Sequence, residues 1–73
     1  MEQLDTRGLA CPLPVLKARK RLQALPLGDR LEVLATDPKS PADFRLWCNE
    51  AGHLLVEDEA TGDAFRFVIQ KGR

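Results

Sequence analysis

The 73-residue sequence is poor in cysteine, carries no excess charge of either sign, and holds no repeat, low-complexity tract or linker. Each shortage excludes something. Two cysteines, Cys11 and Cys48, are too few for a disulfide scaffold, and their spacing matches no metal-ligand pattern. Eleven basic and eleven acidic side chains leave a formal net charge of zero. A general nucleic-acid binder normally carries a basic excess to neutralise phosphates, so direct nucleic-acid binding is not expected. The start, Met1-Glu2-Gln3-Leu4-Asp5, has no basic region leading into an apolar run, and no apolar stretch approaches a membrane span. The expected compartment is the cytoplasm, without membrane contact, where both cysteines are free thiols. One domain over residues 1–73 is expected, and a domain this small buries only about 60% of its unfolded surface. Function is therefore expected on the surface or at the end of an element, not in an enclosed pocket.

What is present is a regular alternation of short elements. Residues 3–7 are partly alternating and read as a first strand. From Pro12 to Leu25, the residues Val15, Leu16, Ala18, Leu22 and Leu25 recur at helical spacing, and Lys17, Arg19, Lys20 and Arg21 mark the wet side. Leu31, Val33 and Ala35 alternate as a second strand, with Leu34 suggesting a mainly buried position. In Ser40-Pro41-Ala42-Asp43, Ser40 is the expected cap, Pro41 the first helical residue and Asp43 the partner of a capping box. Phe44, Trp47, Cys48 and Ala51 then form one apolar stripe, and Gly52 stops the helix. Leu54 and Val56 begin a third strand, Thr61-Gly62-Asp63 signals a hairpin, and Phe65, Phe67 and Ile69 alternate in a fourth. The expected fold is an α/β two-layer sandwich of order βαβαββ, with two helices packed on one face of a four-stranded mixed sheet.

The most informative segment is Arg7-Gly8-Leu9-Ala10-Cys11-Pro12-Leu13-Pro14-Val15. Proline is tolerated in a first helical turn, where N–H groups lack intrahelical acceptors, so Pro12 and Pro14 start a helix instead of breaking it. With Pro12 as the first helical residue, Cys11 occupies the cap. Cysteine is a poor cap beside Ser or Asp, so its presence points to chemistry. A thiolate there is expected to be stabilised by the helix dipole and by N–H groups such as that of Leu13, lowering its pKa. The stiff turn would leave a presented nucleophile. An inert buried cysteine is the blander reading, but a Gly- and Pro-rich loop-to-helix junction usually lies near the surface.

Asp5, Arg7-Gly8-Leu9, Cys11-Pro-Leu-Pro14, Gly28, Asp37-Pro38, Asp43, Trp47 and Gly52-His53 together resemble the TusA/SirA family of sulfur carriers, over nearly the whole chain. The resemblance implies the same βαβαββ sandwich and a persulfide carried on Cys11; the residues offer no recognisable cofactor site, so no cofactor is expected. It implies loading by a cysteine desulfurase or a rhodanese-type sulfurtransferase and delivery to a downstream acceptor protein. Similar proteins relay sulfur toward 2-thiouridine in tRNA, toward molybdenum cofactor or through sulfur oxidation. Leu13 stands where tRNA-thiolation members often carry an acidic residue, and Thr36 where an Asp-Asp-Pro run is common.

Pro12, Leu13 and Pro14 are expected to support the helix start, and Arg7, Lys17, Arg21 and Asp37 to contribute to partner docking. The basic run on the first helix is more commonly a solvated face, and Asp37 before Pro38 can simply start a turn. Cys48 reads as core, and His53 as a residue serving the end of the second helix. With no general-base constellation, the chain is expected to carry sulfur more than to act as a self-sufficient enzyme. A thiol redox regulator acting through Cys11 is an alternative, disfavoured by the lack of a Cys-x-x-Cys motif. A nucleic-acid-binding module on the basic helix face is a weaker one.

Overall fold

The computed structural model describes all 73 residues. Its elements are β1 (Glu2–Thr6), α1 (Leu13–Gln23), β2 (Arg30–Ala35), α2 (Ser40–Ala51), β3 (Leu54–Thr61) and β4 (Ala64–Gln70). The sheet order is β1-β2-β4-β3, with β1 parallel to β2 and β4 antiparallel to both its neighbours. Each helix is thus a crossover between strands that run the same way, and two crossovers of one hand lay both helices on one face. The expected two-layer sandwich is what forms.

The alternation read from β2 and β4 sorts side chains between the faces. Leu31, Val33, Ala35, Phe67 and Ile69 meet Ala18 and Leu22 of α1 and Phe44 and Cys48 of α2 in one core. Phe44 is fully buried and stacks on Phe67 with ring centroids 4.4 Å apart. On the uncovered face Arg66 gathers Glu32 and Glu57, each at 2.6 Å, and Glu59 at 3.1 Å. Val68, in register between Glu32 and Glu57, is fully buried on that same face. In β3 an irregularity between Leu55 and Glu57 shifts the register. As a result Leu55, not Leu54 or Val56, packs against the core, and Asp58 turns toward α2, where it accepts from Arg45 Nε at 2.6 Å.

The hairpin turn falls at Gly62-Asp63, between the paired residues Thr61 and Ala64. Gly52 closes α2 in the left-handed region at φ 79°, where its N–H donates to the Cys48 carbonyl. The start of α2 differs from the expected capping box. Ser40 already lies inside the helix, with Lys39 at the cap position, so its hydroxyl is buried without a partner. The carboxylate that caps comes from further back: Asp37 Oδ1 accepts the Lys39 N–H at 2.8 Å. An Asx turn places its acceptor two residues ahead of the donor, which Asp37 achieves and a helical Ser40 cannot.

Candidate functional site

The loop from Arg7 to Cys11 is held by the end of β2 and the residues after it. Thr36 Oγ1 accepts the Gly8 N–H at 2.8 Å, and Asp37 Oδ2 accepts the Cys11 N–H at 3.0 Å. Asp37 therefore fixes two segments at once, one oxygen on Lys39 and the other on Cys11. Arg7 folds back on Asp5 with two guanidinium contacts of 2.9–3.0 Å, and this arrangement holds the exposed Asp5 carboxyl down to about 2.

Cys11 is partly exposed and unpaired, while Cys48 is buried in the core. The expected cap geometry is not the one found. Helix α1 begins at Leu13 with Pro12 at the cap, so Cys11 sits one residue before it. Pro12 and Pro14 have no N–H, and the Leu13 N–H is already donated to the Ala10 carbonyl at 2.9 Å. The helix end thus has few donors to offer the sulfur. Instead the thiol is pushed above its ordinary value: hydrogen bonding to Asp43 is the main cause, then burial, then the charges of Asp43 and Asp37, with Lys39 opposing. The shift runs opposite to the lowered pKa expected from the sequence.

Cys11 opens onto a shallow groove of about 220 Å³ between the helices, lined by Pro12 and Val15 on one side and Asp43, Leu46, Trp47 and Glu50 on the other. Leu13, Leu16 and Leu46 are exposed hydrophobics on these two helices. Of the expected docking residues, Arg7 lies in the Cys11 loop itself, paired with Asp5, and Asp37 bonds to that loop at Cys11. Lys17 and Arg21 lie on the flank of α1 that faces β1, beside Leu4, and Arg21 pairs with Glu2 at 2.7 Å. The sequence reading gave no place beside Cys11 to Asp43, which it took as a capping residue, or to Leu46 and Glu50 on α2. Their spacing of three to four, one strip beside the Phe44–Cys48 stripe, was the available signal.

His53 has a structural position. Its Nδ1 accepts the Gly72 N–H at 3.1 Å, and its ring meets Trp47 edge-on at 5.3 Å. A Cβ at Gly72 would collide with the Gly52 carbonyl, so the chain passes close over the end of α2. Burial, then Lys71 and Arg73, hold the His53 pKa below its ordinary 6.5. The folded state thus favours the neutral ring. Its contribution is complete above pH 6.5 and is lost as pH falls through the lowered value, because the unfolded chain then binds the extra proton. Urea midpoints between pH 7.5 and 5.5 should fall in the wild type and stay flatter in His53→Gln; equal slopes would remove His53 as the cause.

Fold and site define a small α/β domain that presents one accessible cysteine just ahead of a proline-bounded helix. The family model described as sulfurtransferase TusA matches residues 2–71, and the chain belongs to that family. The sulfur carrier protein TusA of Allochromatium vinosum is 44% identical over 70 residues, covering 96% of this chain and 92% of that one. The sulfur carrier protein TusA of Pseudomonas syringae pv. syringae is 39% identical over 69 residues, covering 94% and 82%. The crystal structure of a SirA-like protein from Desulfitobacterium hafniense matches with a TM-score of 0.84 at 25% identity, over 100% of both chains. No helix is long and apolar enough to cross a membrane.

Proposed function

We propose that this chain accepts a sulfane sulfur as a persulfide on Cys11 and relays it to an acceptor protein. The observation that carries this reading is the accessible, unpaired Cys11, pinned through its N–H to Asp37 at the mouth of an open groove. A pinned backbone with an exposed sulfur suits delivery into another protein, since the reacting atom is positioned without being enclosed. The names of the relatives, sulfur carriers, support the same reading.

In the loading step the Cys11 sulfur, as thiolate, attacks the terminal sulfur of a donor persulfide. A new S–S bond forms on Cys11, the donor's S–S bond breaks, and the donor leaves as a thiol bearing the proton Cys11 gave up. Delivery repeats the exchange in the other direction. The donor is a cysteine desulfurase or a rhodanese-type enzyme, and the sulfur goes to tRNA 2-thiouridine synthesis, molybdenum cofactor or sulfur oxidation. Incubation with a desulfurase and cysteine, or with a rhodanese and thiosulfate, should add the mass of one sulfur that a reductant removes. No gain with either donor overturns the reading.

Asp43 sets how readily the thiol ionises in this scheme. Asp43→Asn removes the charge and supplies an amide that can donate to the thiolate. Its Cys11 should react several-fold faster with iodoacetamide at pH 7.5 than the wild type. An unchanged rate would show that Asp43 does not hold the proton in place.

A further inference from the structure

The groove beside Cys11 does not end at Glu50. Trp47 and Glu50 also line a second hollow of about 450 Å³ further along the helices, bordered by Arg19, His53, Lys71 and Arg73. The two hollows make one track between α1 and α2, and its charge changes sign along the way. Asp43 lies at the Cys11 end, Glu50 in the middle, and Arg19 and Arg73 at the far end. Several charges elsewhere are matched within the chain: Arg21 with Glu2, Arg45 with Asp58, Arg7 with Asp5, and Arg66 with three glutamates. Asp43, Glu50, Arg19 and Arg73 form no ion pair. Around Glu50 the remaining lining near Cys11 is apolar, with Val15, Trp47 and Leu46, the last 59% exposed.

We propose that this track seats an extended segment of the sulfur-exchanging partner protein, with a basic side chain beside the partner's cysteine meeting Asp43 and an acidic side chain further along meeting Arg19 and Arg73. The spacing follows from the helix. Leu13, the first residue of α1, and Arg19 are six residues apart, roughly 9 Å along the helix axis, and Cys11 lies two residues further out, beyond the helix end. An extended strand covers the whole span from Cys11 in about four residues at ~3.3 Å each. Opposite charges at the two ends make the track directional, since a segment lying the other way meets like charge at both ends. A basic group at Asp43 also withdraws the largest of the interactions that raise the thiol's pKa, so seating the segment favours ionisation of Cys11. Atoms balance as in the loading step: the S–S bond on the partner breaks, one forms on Cys11, and the proton ends on the partner's sulfur. No oxidant or reductant is needed.

This inference rests on sulfur exchange at Cys11 but is tested separately from it. The probes are three synthetic peptides, each with one cysteine activated as a mixed disulfide with thionitrobenzoate. The first has arginine next to the cysteine and glutamate four residues away, the second has these two exchanged, and the third has alanine at both places. Release of thionitrobenzoate by the wild-type protein reports attack by Cys11. The first peptide should react about tenfold faster than the second at low salt, with the alanine peptide between them and the gap narrowing in high salt. In the double variant Asp43→Lys/Arg19→Glu the preference should invert, while Lys20→Glu should leave it as it is. Equal rates for the three peptides with the wild-type protein, or an order indifferent to the double variant, would overturn the proposal. Because loading by a desulfurase or rhodanese is measured independently, a protein that takes up sulfur but shows no peptide preference loses the track and keeps the carrier reading.

Discussion

Cys11→Ser should take up no sulfur from either donor, while Cys48→Ala should load as fully as the wild type. The expectation rests on what surrounds each sulfur. Cys11 is partly open to solvent and has a groove in front of it. Cys48 is 3% exposed between the helix and the sheet, and burial alone pushes its thiol up to about 11. A group that is both covered and protonated at neutral pH is neither a nucleophile nor reachable by a donor's persulfide. Intact mass after loading separates the two, and native alkylation with iodoacetamide gives a second measure. One modification is expected in the folded protein and two in urea. Loading that survives in Cys11→Ser would move the sulfur to another residue and remove the basis for the relay.

Phe44→Ala should come close to unfolding the domain. Phe44 is fully buried, lies against Phe67 at 4.4 Å, and meets Trp47 edge-on at 6.0 Å. Removing such a ring costs about 3–5 kcal/mol through lost transfer energy and the cavity left behind. Stability of roughly 0.05–0.15 kcal/mol per residue leaves a chain this short only ~4–11 kcal/mol to lose. The melting temperature should therefore drop by about 15–30 °C, read by circular dichroism. Leu27→Ala, at a position 70% exposed, should stay within about 0.5 kcal/mol of the wild type. A small effect of Phe44→Ala would mean that the two layers are held by something other than this aromatic contact.

The same two residues show why the sequence could be read so far and no further. Phe44 was legible as core because Phe44, Trp47, Cys48 and Ala51 repeat with the helix period, and period is a local property. Cys11 was singled out as the candidate sulfur from its neighbours alone, the glycine before it and the prolines after it. Its electrostatics were not legible there. The expectation of a helix-stabilised thiolate used only what lies along the chain, whereas the groups that govern the thiol, Asp43 and Asp37, lie on or beside another element. Ser40 carries the same lesson on a smaller scale. The box pattern was present, but a one-position change in where the helix begins sent the hydroxyl into the core and left capping to Asp37.

The sequence by itself determined the six elements and their order, the face α2 buries, and the hairpin at Thr61-Gly62-Asp63, and it singled out Cys11; on α1 it also placed Leu16 on the apolar face, where the structure leaves it 50% exposed. These follow from periodicity, prolines and glycines, all of which act between residues near in the chain. Only the tertiary structure decided the sheet order β1-β2-β4-β3, the register shift that turns Asp58 to Arg45, the carboxylates that raise the Cys11 pKa, and the hollows between the helices beside it. Each of these depends on distances between side chains from different elements, and Coulomb and hydrogen-bond energies are set by those distances, not by separation along the chain.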